Sequence, residues 1–208
     1  CDEGGFFPNN INQFDICEII NESILKNKLI PGKDLGISID VAASNLYTEN
    51  TYNLYNKFIS KNELSNIFEK LIKEFNVSLI EDPFHDEDFE SFSSFKVKNY
   101  GSVQIIGDDL TCSSSKLLNK AIKRNCIDGI IIKINQCGSV SEALETIELA
   151  KKHNIKTILS ARSGDTEDVF LSHFAVAWDV DMIKVGSFSR SERTSKWNEL
   201  VRIEEKLK

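Results

Sequence analysis

No run among the 208 residues is apolar over the length a bilayer crossing needs, and no secretory hydrophobic region follows the amino terminus. Positive charge is in short supply as well. Lysine and arginine number 25 against 32 acidic residues, leaving a formal net charge of -7. That balance argues against a nucleic-acid partner, which needs a basic face, and means that an anionic ligand requires a local cationic cluster or a metal. The five cysteines (Cys1, Cys17, Cys112, Cys126, Cys137) include no CxxC pair. An odd count without a framework reads as reduced thiols in a cytoplasmic protein. His85, His153 and His173 lie far from those cysteines in sequence, which speaks against structural zinc. No Pro-rich or Ser/Gly-rich linker divides the chain, so residues 1–208 read as one domain.

What the sequence does have is alternation. Short apolar runs of strand length recur at Leu35–Asp40, Val77–Glu81, Ser102–Gly107, Gly129–Ile134, Ile155–Ser160 and Asp181–Val185. Most are apolar at successive positions, the pattern of parallel strands buried on both faces. Between them the spacing predicts helices. Ser60 and Glu63 form a capping box before a run to Phe75, and Ser139 and Glu142 repeat it before a run to about His153. Further helices are predicted at Ile16–Leu29, with Ile16, Ile19, Ile20 and Ile24 on a face, and at Lys116–Arg124. Another is predicted at Ser191–Leu207, with Leu200, Ile203 and Leu207 on one stripe. Strands alternating with helices imply an α/β fold with a parallel sheet, doubly wound or closed as a (β/α) barrel. Six strands are visible where a closed barrel has eight. The chain starts on Cys1 rather than methionine, so a fragment of a longer protein is expected.

Charged residues gather where these strands end. Asp40 and Glu81 close the first two, Asp108 follows the third, Lys133 lies near the end of the fourth, and Lys184 near the end of the sixth. Ser160 closes the fifth and leads into Arg162 and Ser163. In a parallel barrel the carboxyl ends of the strands gather around the mouth that holds the active site. Three carboxylates from separate strands suit a hard divalent cation such as Mg2+. Asp82, before Pro83, reads as turn chemistry. Lys133, in an otherwise apolar run, reads either as a base whose pKa is lowered by desolvation or as a lysine paired with a metal-ligand carboxylate. Arg162-Ser163-Gly164 offers a guanidinium fork, a hydroxyl and a permissive backbone position, a set that suits phosphate or carboxylate.

Several strings, in this order, resemble enolase: DEGGFFPN at 2–9, SIDVAAS at 38–44, LIEDPF at 79–84 and IIGDDLT at 105–111. The likeness continues with IIKINQCGSVSEA at 131–143, ARSGDTED at 161–168, IKVGSFSRSER at 183–193 and RIEEKL at 202–207. The resemblance implies the TIM-type barrel of the enolase carboxyl-terminal domain, incomplete at its amino-terminal end. It implies a magnesium-dependent lyase of glycolysis interconverting 2-phosphoglycerate with phosphoenolpyruvate and water. Asp40, Glu81 and Asp108 would then be ligands of Mg2+, and Lys133 the base that removes the C2 proton. Glu3 would belong to the acidic pair acting on the C3 hydroxyl. Arg162 and Ser163 would hold the substrate phosphate and Lys184 its carboxylate. A small phosphorylated three-carbon acid is the implied partner, with no nucleic acid and no membrane span. A homodimer is implied for the full-length parent, in the cytoplasm and with a secondary pool at the cell surface.

The sequence also departs from the family pattern. Ala161 stands where enolases have a histidine before the Arg-Ser pair, and Cys1 where they have a glycine. The family's amino-terminal domain with its mobile loop, the first barrel strands, the second acidic catalytic residue and the carboxyl-terminal tail are expected to lie outside this stretch. Turnover by this chain alone is therefore expected to be impaired. The alternative is a catalytically degenerate paralogue that acts as a binding or structural protein.

Overall fold

The computed structural model describes residues 1–9 and 11–208. Among them, six strands of parallel sheet alternate with helices: β1 (Ile37–Asp40), β5 (Val77–Glu81), β6 (Gln104–Gly107), β7 (Gly129–Ile132), β8 (Lys156–Ser160) and β9 (Met182–Lys184). Each falls within one of the six apolar runs. A small antiparallel sheet, β2 (Tyr47–Thr48), β3 (Thr51–Leu54) and β4 (Lys57–Ile59), is inserted after β1. The helices are α1 (Gln13–Lys26), α2 (Lys61–Phe75), α3 (Phe89–Lys98), α4 (Ser115–Lys123), α5 (Ile134–Cys137), α6 (Val140–Lys152), α7 (Phe170–Ala177) and α8 (Ser191–Leu207). The chain forms two compact units, Asn10–Thr111 with Asn119–Gly129, and Cys1–Asn9 with Cys112–Leu118 and Ile130–Lys208.

The first of these units carries β1, β5 and β6. A one-residue register shift between Ile37 and Ser38 sets the pairing of the first two strands. Ile37 lies opposite Val77, but from Ser38 onward each residue has slipped one place, so Asp40 lies level with Glu81. A bulge of this kind re-aims the residues beyond it. Helix α2 packs on this sheet through Leu64, Phe68 and Leu71, all buried, and starts on the expected box, with Ser60 accepting from the Glu63 amide. Phe84 seals the turn after β5. Its ring meets Phe92 at 5.9 Å and Phe95 at 5.6 Å between centroids, edge to face, a geometry that adds to simple burial. On α1 the buried side chains are Cys17 and Ile24, while Ile19 and Ile20 of the expected face are exposed.

The second unit carries β7, β8 and β9. Strand β7 is buried at every position, and β8 at all but its first. Strand β9 is half-buried, with Ser160 of β8 level with its Lys184. Helix α6 starts where Ser139 accepts from the Glu142 amide. Helix α8 has the expected limits, but its buried part lies at its start and not at its end. Leu207 is 74% exposed, and the two buried side chains of the helix are Arg193 and Lys196. Spaced three apart, they continue the Leu200 and Ile203 stripe back to the start of the helix, where the loops they meet offer carbonyl oxygens instead of apolar side chains.

Candidate functional site

In the first unit the acidic residues stand at the carboxyl ends of three adjacent strands. Asp40 ends β1 and is exposed; Glu81 ends β5 and is buried; Asp108, one residue past β6, is buried too. The ladder runs past the strand ends, as the Val41 amide donates to the Glu81 carbonyl and the Asp82 amide to the Ile106 carbonyl, each at 3.0 Å. Among the described residues no three His, Cys, Asp or Glu side chains are grouped so as to hold a metal ion. What the fold supplies is therefore placement: three hard oxygen donors at the same end of neighbouring strands.

Asp82 is more than turn chemistry. It is buried, adopts a left-handed backbone conformation (φ 41°), and its carboxylate accepts from the amides of Asp108 at 2.9 Å and Asp109 at 2.6 Å. The loop that bears Asp108 is thereby tied to the end of β5. Burial lifts the Asp82 pKa to about 7, outweighing the two amide bonds that favour its charged form. The EDP string suggests a turn, and nothing in it shows that the carboxylate reaches across to the next strand.

The second unit brings together the cationic candidates. Lys133 lies just beyond β7, half-buried, as the residue that caps α5. Its amide donates to Ser113 Oγ at 2.9 Å, and that hydroxyl donates to Gln136 Oε1 at 2.6 Å. At the end of β8 the Ala161 amide donates to the Lys184 carbonyl at 2.8 Å, so the Arg162-Ser163 loop leaves the sheet beside Lys184. Arg162 and Ser163 are exposed. The Arg162 guanidinium donates to Asn135 Oδ1 at 2.9 Å, which turns it toward the loop after β7. An open cavity of about 310 Å³ beside it is lined by Asn135, Ser160, Arg162, Asp165, Thr166 and Lys196, among others.

Glu3 joins this group from the far end of the sequence. Ser163 Oγ donates to Glu3 Oε1 at 2.5 Å, the Ser187 amide donates to the Glu3 carbonyl at 2.9 Å, and Ser189 Oγ donates to the Gly4 carbonyl at 2.8 Å. The Ser163 hydroxyl holds the Glu3 carboxyl below the usual carboxylate range, with Arg193 and Lys184 adding to the effect against partial burial. Two residues not singled out from the sequence, Arg193 and Lys196, hold the loop from beneath. Their signal was present: two cations on the stripe that Leu200 and Ile203 define, where an amphipathic helix normally presents apolar side chains.

Parallel strands alternating with helices define a protein of the (β/α)-barrel class, here with acidic and basic residues at the carboxyl ends of the strands. The family model "Enolase, C-terminal TIM barrel domain" matches residues 1–208. "Enolase 3" of Lactobacillus johnsonii is 41% identical over 209 residues, covering 99% of this chain and 49% of that relative. "Enolase" of Pelagibacter ubique is 41% identical over 207 residues, again 99% of this chain and 49% of the relative. The chain belongs to the enolase family and corresponds to its carboxyl-terminal barrel domain. It spans about half the length of these curated relatives. Among the described residues no helix is long and apolar enough to cross a membrane.

Proposed function

We propose that the chain is the barrel part of a cytoplasmic, glycolytic lyase interconverting 2-phosphoglycerate with phosphoenolpyruvate and water. The observation that carries this reading is the second unit's strand-end set. Lys133, Arg162, Ser163 and Lys184 all lie at or just past the ends of β7, β8 and β9, and Glu3 is hydrogen-bonded to Ser163. Removing a proton next to a carboxylate is difficult because the product carries a second negative charge. Lys133 serves as base, and its backbone is fixed by Ser113. Lys184 faces the substrate carboxylate and offsets part of the new charge. Arg162 and Ser163 hold the phosphate, supplying the local positive charge that a chain of net charge -7 otherwise lacks.

Asp40, Glu81 and Asp108 are the residues that would hold Mg2+. Donor type and strand placement fit a hard divalent cation. When bound, it supplies electrostatic stabilisation of the charge that develops on the substrate carboxylate.

Glu3 acts at the C3 hydroxyl. Held below the usual carboxylate range, it is ionised at neutral pH and so poorly suited to donate a proton by itself. Ala161 can neither donate a hydrogen bond nor carry a proton where the family has an imidazole. Turnover by this polypeptide alone is therefore low. Phosphoenolpyruvate formation, followed by absorbance with magnesium and 2-phosphoglycerate, tests the reading. A rate far below that of an intact enolase, together with measurable binding of 2-phosphoglycerate, supports it; absence of binding overturns it. Ala161 also favours a second reading, in which the parent binds such ligands without turning them over. A longer parent protein with no activity under the same assay would select that alternative.

A further inference from the structure

Arg193 is 0% exposed, yet it carries a full charge, and a buried charge is costly unless it is paired and hydrogen-bonded. Its acceptors are specific. Nη1 donates to the Arg162 carbonyl at 2.8 Å and to the Val185 carbonyl at 3.0 Å; Nη2 donates to the Ser163 carbonyl at 2.7 Å. The Glu192 carboxylate lies 3.7 Å from Nε. One guanidinium thus bridges the loop after β8, which carries Arg162 and Ser163, to the residue following Lys184 on β9. Room for it is kept by Gly186 (φ +122°), where a Cβ would come within 2.9 Å of Arg193 Cδ and 3.0 Å of the Glu3 carbonyl oxygen. Lys196 extends the support, donating to the Thr166 carbonyl at 2.7 Å and pairing with Asp165 at 3.3 Å.

We propose that Arg193 is a positioning residue that sets the Arg162-Ser163 loop, relative to the Lys184 strand end, for binding an anionic phosphate group. This deepens the function proposed above and rests on it for the identity of the anion. Docking α8 on the sheet alone would be served by leucine at this position. A fork whose three bonds all go to carbonyls of the two strand-end loops fixes the peptide planes on either side of Ser163, and with them the direction of the Ser163 hydroxyl. Arginine matches this task and lysine does not, because the carbonyls lie on two loops and fit the separate nitrogens of a rigid planar fork, not a single compact ammonium. The buried charge also adds to the positive potential under the loop without occupying the surface where the ligand sits.

The test compares the 208-residue chain with Arg193→Gln and Arg193→Lys, the lysine variant keeping the charge should the neutral one fail to fold. Two readouts are taken: amide hydrogen exchange along the chain, and affinity for 2-phosphoglycerate by phosphorus NMR without metal. The expected result is faster exchange confined to 162–166 and 185–187 in both variants, with affinity lowered about 10–100-fold, the scale set by losing one hydrogen bond to a charged group. Unchanged exchange and affinity in a folded Arg193→Lys chain would overturn the proposal. So would loosening spread evenly over the whole chain, the mark of a merely structural arginine. If the parent chain binds no 2-phosphoglycerate while exchange quickens only in those two segments, the phosphate reading fails and the loop-holding role of Arg193 stands.

Discussion

Asp82 accepts a 2.9 Å hydrogen bond from the backbone amide of Asp108, so the end of β5 holds in place the loop that follows β6. A second bond of 2.6 Å from the Asp109 amide uses the other carboxylate oxygen. The first bond is buried and the second partly so. Asp82→Ala leaves two amides without their acceptor, and the expected loss of stability is roughly 1–3 kcal/mol at neutral pH. Asp82→Asn keeps one acceptor oxygen and should lose less. Urea unfolding of the three chains checks the order. An alanine variant as stable as the parent would mean that the Asp108 loop is held by other contacts.

The Ser163 hydroxyl has one proton to donate, and in this structure Glu3 receives it. Hydrogen bonding to the charged form lowers a carboxyl pKa, and this bond is the largest influence on Glu3. Ser163→Ala should therefore raise the Glu3 pKa toward its ordinary value of 4.5. The same rise is expected in the parent chain on binding a phosphate that captures the hydroxyl, which would bring Glu3 closer to the range in which a carboxyl can give up a proton. Carbon NMR titration of the Glu3 carboxyl reads both effects. An unchanged titration in Ser163→Ala would show that Ser163 is not its controlling partner.

Asp181 gives the fold a dependence on acid. Partial burial works against its charge, but Lys156 at 2.6 Å and the Thr157 amide and hydroxyl at 2.9 and 3.0 Å outweigh it, and the pKa is lowered. A depressed folded-state pKa contributes stability above the unfolded value of about 3.8, and that stability is lost as pH falls through the folded value. Asp181→Asn should cost about 1 kcal/mol at pH 7, the order of a net hydrogen bond. The gap between parent and variant should close below about pH 4. Thermal unfolding across pH checks this, and a gap that persists into acid would remove the carboxylate's charge as the cause.

The parallel strands and the capped helices α2 and α6 were legible because their signals are local: unbroken apolar runs, and Ser-Glu pairs spaced three apart. The small antiparallel sheet was not. Its two turns, Glu49-Asn50 and Tyr55-Asn56, have positive φ at every central residue, the geometry that usually announces itself with Asn-Gly or Asp-Gly. Without a glycine, the turns left no mark. Helix α3 was hidden by four aromatic and β-branched residues and three serines among its ten positions, which weaken helix propensity; its packing comes from Phe89, Phe92 and Phe95. At the candidate site, residue type and order placed Asp40, Glu81, Asp108, Lys133, Arg162, Ser163 and Lys184 at strand ends. The supporting bonds of Asp82 and Arg193 join positions 26 to 31 residues apart, or run back from α8 to the loops it meets, and no local pattern encodes them.

Ala161 sits half-buried at the end of β8, its amide bonded to the Lys184 carbonyl, and Arg162 and Ser163 follow it directly. A larger side chain can leave that position without breaking the backbone bond, so Ala161→His should change stability by less than about 1 kcal/mol. The new imidazole would directly precede Arg162 and stand beside Lys184, whose carbonyl the backbone at 161 bonds; these cations disfavour its protonated form, and its pKa should fall below the ordinary value of about 6.5. A properly placed acid or base contributes typically ~10²–10⁴-fold to a rate, but only where the remaining machinery is in position. The proposed reaction also calls for acid assistance at the C3 hydroxyl, and Glu3 is ionised at neutral pH. Turnover of 2-phosphoglycerate by the Ala161→His form of the 208-residue chain is therefore expected to stay near that of the parent. Steady-state assay with magnesium, alongside proton NMR titration of the introduced histidine, separates the two effects. A rate that climbs to that of an intact enolase on this one change would show that the imidazole alone was limiting, and that the barrel half suffices for the reaction.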